Sequence, residues 1–269
     1  MPSVAGRLLG LVRAASGWLA VCLLLGGAAQ AAELRVVSSG GFAAAWRTLA
    51  PLFERQSGDT LVMAWGPSMG TTANAIPVRL ARGETFDVLI MVGSALDKLI
   101  HDGKVAADSR ADLADSVIGV AVRAGAPHPD ISSVAALRQT LLAASSIAWS
   151  DSASGVYIQN VMLKRLGIAD QVAGKGHMIP AEPVGAVVAR GAAEIGFQQM
   201  SELRPIAGID LLGPLPAELQ MHTIFAAGIP TNAPQPQEAR ALIRFLTSPA
   251  ARAAIVASGL DPMTPAAGK

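Results

Sequence analysis

The sequence contains very little cysteine, few aromatic side chains and little charge. Among its 269 residues one is a cysteine, 4% are aromatic and 15% are charged. The single cysteine, Cys22, lies in the N-terminal apolar segment described next. A chain that loses this segment therefore has no disulfide, no thiol nucleophile and no cysteine-ligated metal. With 51% hydrophobic residues, the low charge also excludes an intrinsically disordered chain.

The first 31 residues have the pattern of a cleavable signal peptide. Arg7 and Arg13 form a positively charged region before an apolar run over residues 17–28, and residues 29–31 fit a small-x-small cleavage site. The run is shorter than the roughly 20 residues that span a bilayer. We therefore expect export to the periplasm. Cleavage would leave 19 basic and 20 acidic residues, and this balance argues against nucleic acid as a partner.

Apolar runs alternate with amphipathic helical patterns along the first part of the remaining chain. Because the third run, 86–92, is apolar apart from Asp87, both faces of its sheet should be covered. Alternation of this kind predicts a parallel sheet with right-handed crossovers. The predicted strands are 34–37, 61–65 and 86–92, and the predicted helices are 42–56, 72–81 and one that Ser94 caps.

The pattern continues into a second group of elements after residue 115. A strand over 116–123 is interpreted as the first crossing between two lobes, and a strand over 223–229 as the return. The remaining predictions are strands at 147–149, 194–199 and 209–213, and helices at 133–143, 155–166, 183–190, 236–246 and 249–258.

Hydroxyl-rich turns follow several of these strands. The clearest is 61–76, where a strand leads through Ser68 to a helix start that Thr71 or Thr72 would cap. Such a turn offers backbone N–H groups and hydroxyls to an anion, although an ordinary strand–helix connection has the same appearance. The turns at 38–41 and 150–155 repeat the pattern. Since ligands bind outside the carboxyl ends of strands in open α/β sheets, the residues that follow the first three strands are expected to converge, namely Ser38, Ser39, Gly41, Ser68, Gly93 and Ser94.

Several charged and polar side chains have two interpretations from the sequence. Asp151 would cap the following helix rather than act as a base, and Asp87 would bind a backbone group. Arg47 and Arg79 could each pair with a ligand carboxylate or lie on a solvated helix face. At least one of two adjacent amides, Gln198 and Gln199, is expected to contact a ligand. The histidines, which have no metal-binding spacing, are His101, His128, His177 and His222.

These motifs, in this order, resemble the type II periplasmic substrate-binding proteins, and more closely the molybdate-binding protein family of ABC importers. The resemblance implies an α/β fold of two lobes with mostly parallel sheets, a two-strand hinge and a ligand in the cleft. The domains would then be a signal peptide at 1–31, a first lobe at 32–115, a second lobe at 116–222 and a return segment at 223–269. The motifs that carry the resemblance are 38–41, 66–76, 85–90, 150–155 and 194–197.

The resemblance also implies a set of ligand-binding positions. The family's second serine matches Ser68, its backbone donor falls at Ser154, and its helix-start valine falls at Val184. Glycine and glutamine stand where the family has a serine and a tyrosine, which favours a larger anion such as a small organic acid. The predicted ligand-binding residues are Ser38, Ser39, Gly41, Ser68, Thr71, Ser154, Val184 and Gln199.

Two functions follow from the resemblance. The first is capture of a molybdate-like oxyanion or small organic carboxylate by a monomer that delivers it to an ABC permease. The second is the cofactor-free interconversion of cis- and trans-aconitate, because bacterial aconitate isomerases resemble the same family. An isomerase would need one base, which the sequence does not single out among Asp87, Asp151 and the histidines. Neither a metal nor a cofactor is expected.

Overall fold

A computed structural model describes residues 31–263, so the predicted signal peptide lies outside the described residues except for Ala31. The strands are β1 Glu33–Ser38, β2 Thr60–Trp65, β3 Val88–Val92, β4 Ala111–Ser116, β5 Ile118–Arg123, β6 Ile147–Ser150, β7 Gly176–Ile179, β8 Ile195–Gln199, β9 Ile209–Pro214, β10 Thr223–Gly228 and β11 Asp261–Pro262. The helices are α1 Ala43–Ser57, α2 Ile76–Ala81, α3 Gly93–His101, α4 Val134–Ala143, α5 Ala153–Tyr157, α6 Leu163–Arg165, α7 Ala169–Val172, α8 Val184–Ala189, α9 Met200–Leu203, α10 Pro236–Leu246 and α11 Pro249–Ala257. A π-helical turn, Ile158–Met162, joins α5 to α6.

The strands form two separate sheets. The first has the order β11-β4-β10-β3-β1-β2 and the second the order β7-β6-β8-β5-β9. This architecture confirms the predicted α/β fold of two sheet-based lobes. The sheets are mixed rather than mostly parallel. Strands β1, β2 and β3 pair in parallel, as do β6, β7 and β8, whereas β4, β5, β9, β10 and β11 pair antiparallel.

The antiparallel pairings arise where the chain passes between the sheets. The strand predicted over 116–123 is in fact the end of β4 and all of β5, which belong to different sheets and are separated by Val117 alone. The return runs from β9 to β10. Gln220, in that return, accepts a hydrogen bond from the Ile118 backbone N–H at 2.9 Å and donates to the Ile118 carbonyl at 3.1 Å. The two crossing segments are therefore bonded directly to each other.

Each sheet is packed on both faces, as the continuous apolar strands predict. Side chains alternate across a strand, so Val36 and Ile90 face the core formed with α1 and α10, while Val37, Leu89 and Met91 face a second core beneath α2 and α3. The second sheet is likewise covered by two clusters, one of which contains Val184 and Val188 of α8. Such packing fixes the strand ends that position the site.

Two predicted helix starts were wrong. Helix α2 begins at Ile76 rather than Thr72, because Pro77 occupies its first turn and residues 70–74 form an exposed loop. Helix α3 begins at Gly93 directly after β3, so Ser94 lies within its first turn and does not cap it. The prediction for Asp87 was correct. Its carboxylate accepts hydrogen bonds from the backbone N–H groups of Arg35 and Gln235, each at 2.7 Å.

Within residues 31–263, none of the helices is both long enough and apolar enough to cross a membrane.

Candidate functional site

A cavity of about 380 Å³ lies between the two sheets, where the carboxyl ends of their strands face each other. The first sheet contributes the turns after β1 and β2, and the second contributes those after β6 and β8. The carboxyl ends of β1, β2 and β3 meet at this cavity, as predicted, although Gly93 and Ser94 do not line it. Polar and glycine residues that line the cavity are Ser39, Gly40, Gly41, Arg47, Ser68, Ser150, Asp151, Ser152, Gln198, Gln199 and Glu202.

The turn after β1 contributes to this cavity one serine whose hydroxyl has no hydrogen-bond partner among the described residues. Ser39 is 5% exposed, and its Oγ atom is buried without a hydrogen-bond partner among the described residues. The neighbouring Ser38 is fully buried, and its hydroxyl donates to the Ser39 carbonyl at 3.0 Å, so Ser38 does not line the cavity. A buried hydroxyl without a partner costs about 1–3 kcal/mol, and a ligand oxygen would remove this penalty.

Gly41 lines the cavity with its backbone alone. A Cβ atom at this position would overlap the ring of Phe225, which leaves no room for the serine that the resemblance places here. The Gly41 carbonyl accepts a hydrogen bond from the Ser201 hydroxyl at 2.7 Å. Because Ser201 belongs to α9 of the second sheet, this bond joins the two walls of the cavity.

The turn after β2 supplies a second serine hydroxyl. Ser68 accepts a hydrogen bond from the Val92 backbone N–H at 2.9 Å, which leaves its own O–H to donate into the cavity. Thr71, predicted to share this site, lies instead on the exposed loop and does not line the cavity.

A cluster of three serines forms the turn after β6. The Ser150 Oγ lies 2.7 Å from the Ser152 Oγ and 3.2 Å from the Ser154 Oγ. Ser150 and Ser152 line the cavity, whereas Ser154, predicted as a ligand, is fully buried behind them. Helix α5 has Ser152 at its N-cap, so the prediction that Asp151 caps the helix was wrong. Asp151 instead lines the cavity.

The predicted contacts of Val184 and Gln199 are occupied by protein groups. The Val184 backbone N–H donates to the Gln198 side-chain oxygen at 2.9 Å, and Val184 does not line the cavity. The Gln199 side chain accepts from the Ser116 hydroxyl at 2.6 Å and donates to the Thr223 hydroxyl at 3.1 Å. These two bonds tie together both segments that cross between the sheets. Gln199 also lines the cavity.

Sequence reasoning missed Glu202, the carboxyl group on α9 that faces the cavity. Burial raises the pKa of Glu202 from 4.5 to about 7, against the opposing effect of hydrogen bonds with the Gln198 side chain and the Gln199 backbone. The negative charge of Asp151 raises the pKa of Glu202 further. The available signal was its position, three residues after the buried strand β8 and therefore at a carboxyl end.

The other charges of the cavity are partly balanced. Glu182 pairs with Arg190, and this hydrogen-bonded partner lowers the pKa of Glu182. Arg47 is the only arginine or lysine that lines the cavity among the described residues, and its side chain is exposed at the rim. Arg79, the alternative cation, pairs with Glu84 and does not line the cavity.

The histidines lie outside this cavity, and all of them are exposed. The His128 Nε2 lies 3.1 Å from the Asp210 Oδ2, and the His222 Nδ1 lies 2.6 Å from the Asp115 Oδ2. No group of three or more potential metal ligands occurs within residues 31–263. A larger hollow of about 490 Å³ lies beside His128 at the edge of the second sheet, and none of the predicted site residues lines it.

Fold and cavity together define a two-lobed solute-binding protein. The model of the bacterial extracellular solute-binding proteins matches residues 34–261, and the chain belongs to this family. Strands from both sheets fall within the matched range.

Known proteins resemble the chain at two levels. An aconitate isomerase from a Pseudomonas species is 51% identical over 230 residues, which are 86% of this chain and 88% of the relative. Two solved structures share the fold at lower identity. The periplasmic molybdate-binding protein of Azotobacter vinelandii has a TM-score of 0.66 at 22% identity and covers 84% of this chain and 98% of its own. The sulfate-binding protein of Mycobacterium tuberculosis has a TM-score of 0.69 at 18% identity and covers 87% of this chain and 88% of its own.

Proposed function

We propose that the chain is an exported isomerase that binds aconitate between its two sheets and interconverts the cis and trans isomers. The Pseudomonas relative supports this proposal because its similarity extends over 86% of the chain. A similarity of that length includes most of both sheets, and hence both walls of the cavity.

The observation that carries the proposal is the presence of Glu202 in the cavity. A site that only captures an anion gains no attraction from an ionised carboxylate, because the two negative charges repel each other. A carboxyl group with a pKa of about 7 can instead exchange a proton at neutral pH. The cavity therefore combines hydrogen-bond donors for carboxylates with a group for proton transfer.

The reaction requires only these two features. A base removes a proton from the methylene carbon of aconitate, and the electron pair moves so that the double bond shifts toward that carbon. The proton is then delivered to the carbon at the other end of the three-carbon unit. Rotation about the single bond to the methylene carbon, before the proton is removed, determines which isomer forms, and no electrons are gained or lost. Hydroxyl donors from both walls would bind the substrate carboxylates during these steps.

The size of the cavity also favours an organic acid. Its volume of about 380 Å³ falls within the range of pockets that bind small organic molecules. A tetrahedral oxyanion would leave most of this space to water, whereas a tricarboxylic acid could contact donors on both walls at once. The glycine and glutamine at the positions of the family's serine and tyrosine fit the same conclusion.

A second candidate is capture of a small anion for import through an ABC permease. Family membership supports it, since the chain is an extracellular solute-binding protein by its match over residues 34–261. Two sheets joined by two crossing segments are suited to a hinge motion that closes on a ligand. This candidate requires binding but no chemical change of the ligand.

Thermal shift followed by product analysis separates these candidates. The protein is screened with molybdate, tungstate, sulfate, citrate and both aconitates, since a ligand of the native state raises the melting temperature. We expect stabilisation by the aconitates, and conversion of either isomer into the other during incubation. Stabilisation by molybdate or tungstate alone, with no conversion of the aconitates, would overturn the isomerase proposal and support import.

Replacement of Arg47 is expected to weaken substrate binding. In Arg47→Gln, loss of one charge-assisted hydrogen bond to a carboxylate should raise KM by about tenfold or more. The reacting carbons should still be positioned, so kcat should change less than KM. Initial rates measure both constants. Arg55→Gln, an exposed change on the same helix but outside the cavity, is the matched control. Equal effects of the two substitutions would contradict the role of Arg47.

A further inference from the structure

We infer that Glu202 is the catalytic residue that removes and returns the substrate proton, and that Gln198 is the positioning residue that orients its carboxyl group. This inference rests on the proposed isomerase function and assigns its proton transfer to one side chain.

The location of Glu202 places its carboxyl group at the junction of the two walls. Helix α9 follows β8 without an intervening residue, so Glu202 lies at a carboxyl end of the second sheet. A Cβ atom at Gly40 would overlap the Glu202 Oε1, which shows that this oxygen lies against the backbone of the turn after β1. A ligand held by both walls would therefore have Glu202 beside it.

The neighbours of Glu202 hold α9 in this place. Ser201 donates its hydroxyl to the Gly41 carbonyl at 2.7 Å, and this buried bond fixes the helix against the opposite wall. The carboxyl group thus keeps a defined position relative to Ser39 and Gly40. Defined geometry matters because proton transfer requires the acceptor within hydrogen-bond reach of the reacting carbon.

The orientation of the Gln198 amide is determined by its other partner. Its side-chain oxygen accepts the Val184 N–H at 2.9 Å, so the amide NH2 is the end available to Glu202. Gln198 is 5% exposed and lines the cavity together with Glu202, so its amide is held on the same wall as the carboxyl group. This donor stabilises the ionised carboxylate, which is the form that accepts a proton.

The electrostatic surroundings suit a group that both takes and returns a proton. Burial and the charge of Asp151 raise the pKa of Glu202 to about 7, while the hydrogen bonds with Gln198 and Gln199 oppose them. At this value neither protonation state is strongly disfavoured at neutral pH. Two further carboxyl groups line the cavity. Glu182 is paired with Arg190 and is less suited to accept a proton, whereas Asp151 acts on Glu202 through its negative charge.

In the assigned step, the ionised Glu202 carboxylate forms an O–H bond as the methylene C–H bond of the substrate breaks. The electron pair of that bond enters the conjugated system, and the double bond shifts. The protonated carboxyl group then gives its proton to the other terminal carbon, where a C–H bond forms. Glu202 returns to its ionised state, so atoms and electrons balance without a further reactant.

The test compares Glu202→Gln with wild type and with Glu218→Gln, an exposed change outside the cavity. Both aconitates are assayed for conversion, and their binding is followed by thermal shift. Since general acid–base catalysis contributes about 10²–10⁴-fold, we expect Glu202→Gln to lose at least about 100-fold in kcat while both aconitates still raise its melting temperature. Glu218→Gln should retain wild-type activity. Activity of Glu202→Gln within about threefold of wild type would overturn the inference.

The pH profile gives a second readout that a merely structural role would not move. For wild type, kcat/KM should rise about tenfold per pH unit below pH 7 and then level off. Gln198→Met removes the donor, which should shift this profile to higher pH, and Glu202→Asp should restore part of the activity lost in Glu202→Gln. Unshifted profiles in Gln198→Met would overturn its positioning role. If wild type itself converts neither aconitate, the proposed function fails, and this outcome differs from an active enzyme that tolerates Glu202→Gln.

Discussion

Glu202→Gln should make the stability of the protein less dependent on pH, by up to about 3 kcal/mol between acidic and mildly alkaline solution. Burial raises the pKa of Glu202 from 4.5 to about 7 in the folded state. Between these values the folded wild type binds more protons than the unfolded chain, so its stability falls as pH rises. The stabilisation is complete below the unfolded pKa and is lost as pH rises through the folded pKa. Because glutamine does not titrate, the variant does not lose this stability as pH rises.

Urea unfolding of both proteins at pH 5 and pH 8 measures the effect. Other titrating groups are common to both, so they cancel in the difference between their free energies of unfolding. That difference should move in favour of Glu202→Gln from pH 5 to pH 8. Parallel pH dependences would show that the carboxyl group titrates in the folded protein as it does in the unfolded chain, and the environment assigned to it would be wrong.

Gly155→Ala is expected to destabilise the protein by about 3 kcal/mol or more. A Cβ atom at Gly155 would overlap the backbone carbonyl oxygen of Ser150, and a backbone atom cannot move aside as the end of a side chain can. The turn after β6 must therefore shift. Because this turn carries the Ser150 and Ser152 hydroxyls, ligand binding should weaken together with stability.

Gly174→Ala provides the matched control for this prediction. No atom lies within 4 Å of a Cβ atom at Gly174, and this glycine is not among those with a positive φ. The free energy of unfolding should change by no more than about 0.5 kcal/mol in this variant. Denaturant unfolding of both variants tests the pair. Equal stabilities would show that the tight approach at Gly155 is not required for the fold.

The sequence predicted the fold class and the place of the cavity well, because both depend on strong local patterns. Continuous apolar strands indicated sheets covered on both faces, and hydroxyl-rich turns marked the carboxyl ends that converge. Most of strand β4 was not predicted, since the strand predicted over 116–123 included only its last residue. Strand β4 contains Asp112 and Asp115, and aspartate is depleted in strands, so pairing with β10 rather than local propensity determines its structure.

The composition of the cavity could be predicted only in part. Of the residues predicted to bind a ligand, Ser39, Gly41, Ser68 and Gln199 line it, whereas Ser38, Thr71, Ser154 and Val184 do not. Which hydroxyl of a serine-rich turn faces a ligand depends on the backbone path, and spacing alone does not specify that path. Glu202 was missed for a related reason, since its importance arises from burial and from Asp151 and Gln198, which lie on the same wall of the cavity.

A crystal structure of Glu202→Gln with trans-aconitate would show directly whether the substrate binds with its reacting carbons beside position 202. The variant should bind the substrate without converting it, so the complex should persist during crystal growth. We expect the ligand to lie between the two sheets, with its carboxylates bonded to hydroxyls of both walls and its methylene carbon within about 3.5 Å of the amide that the substitution introduces at position 202. A ligand bound elsewhere, or one whose reacting carbons point away from position 202, would contradict the account.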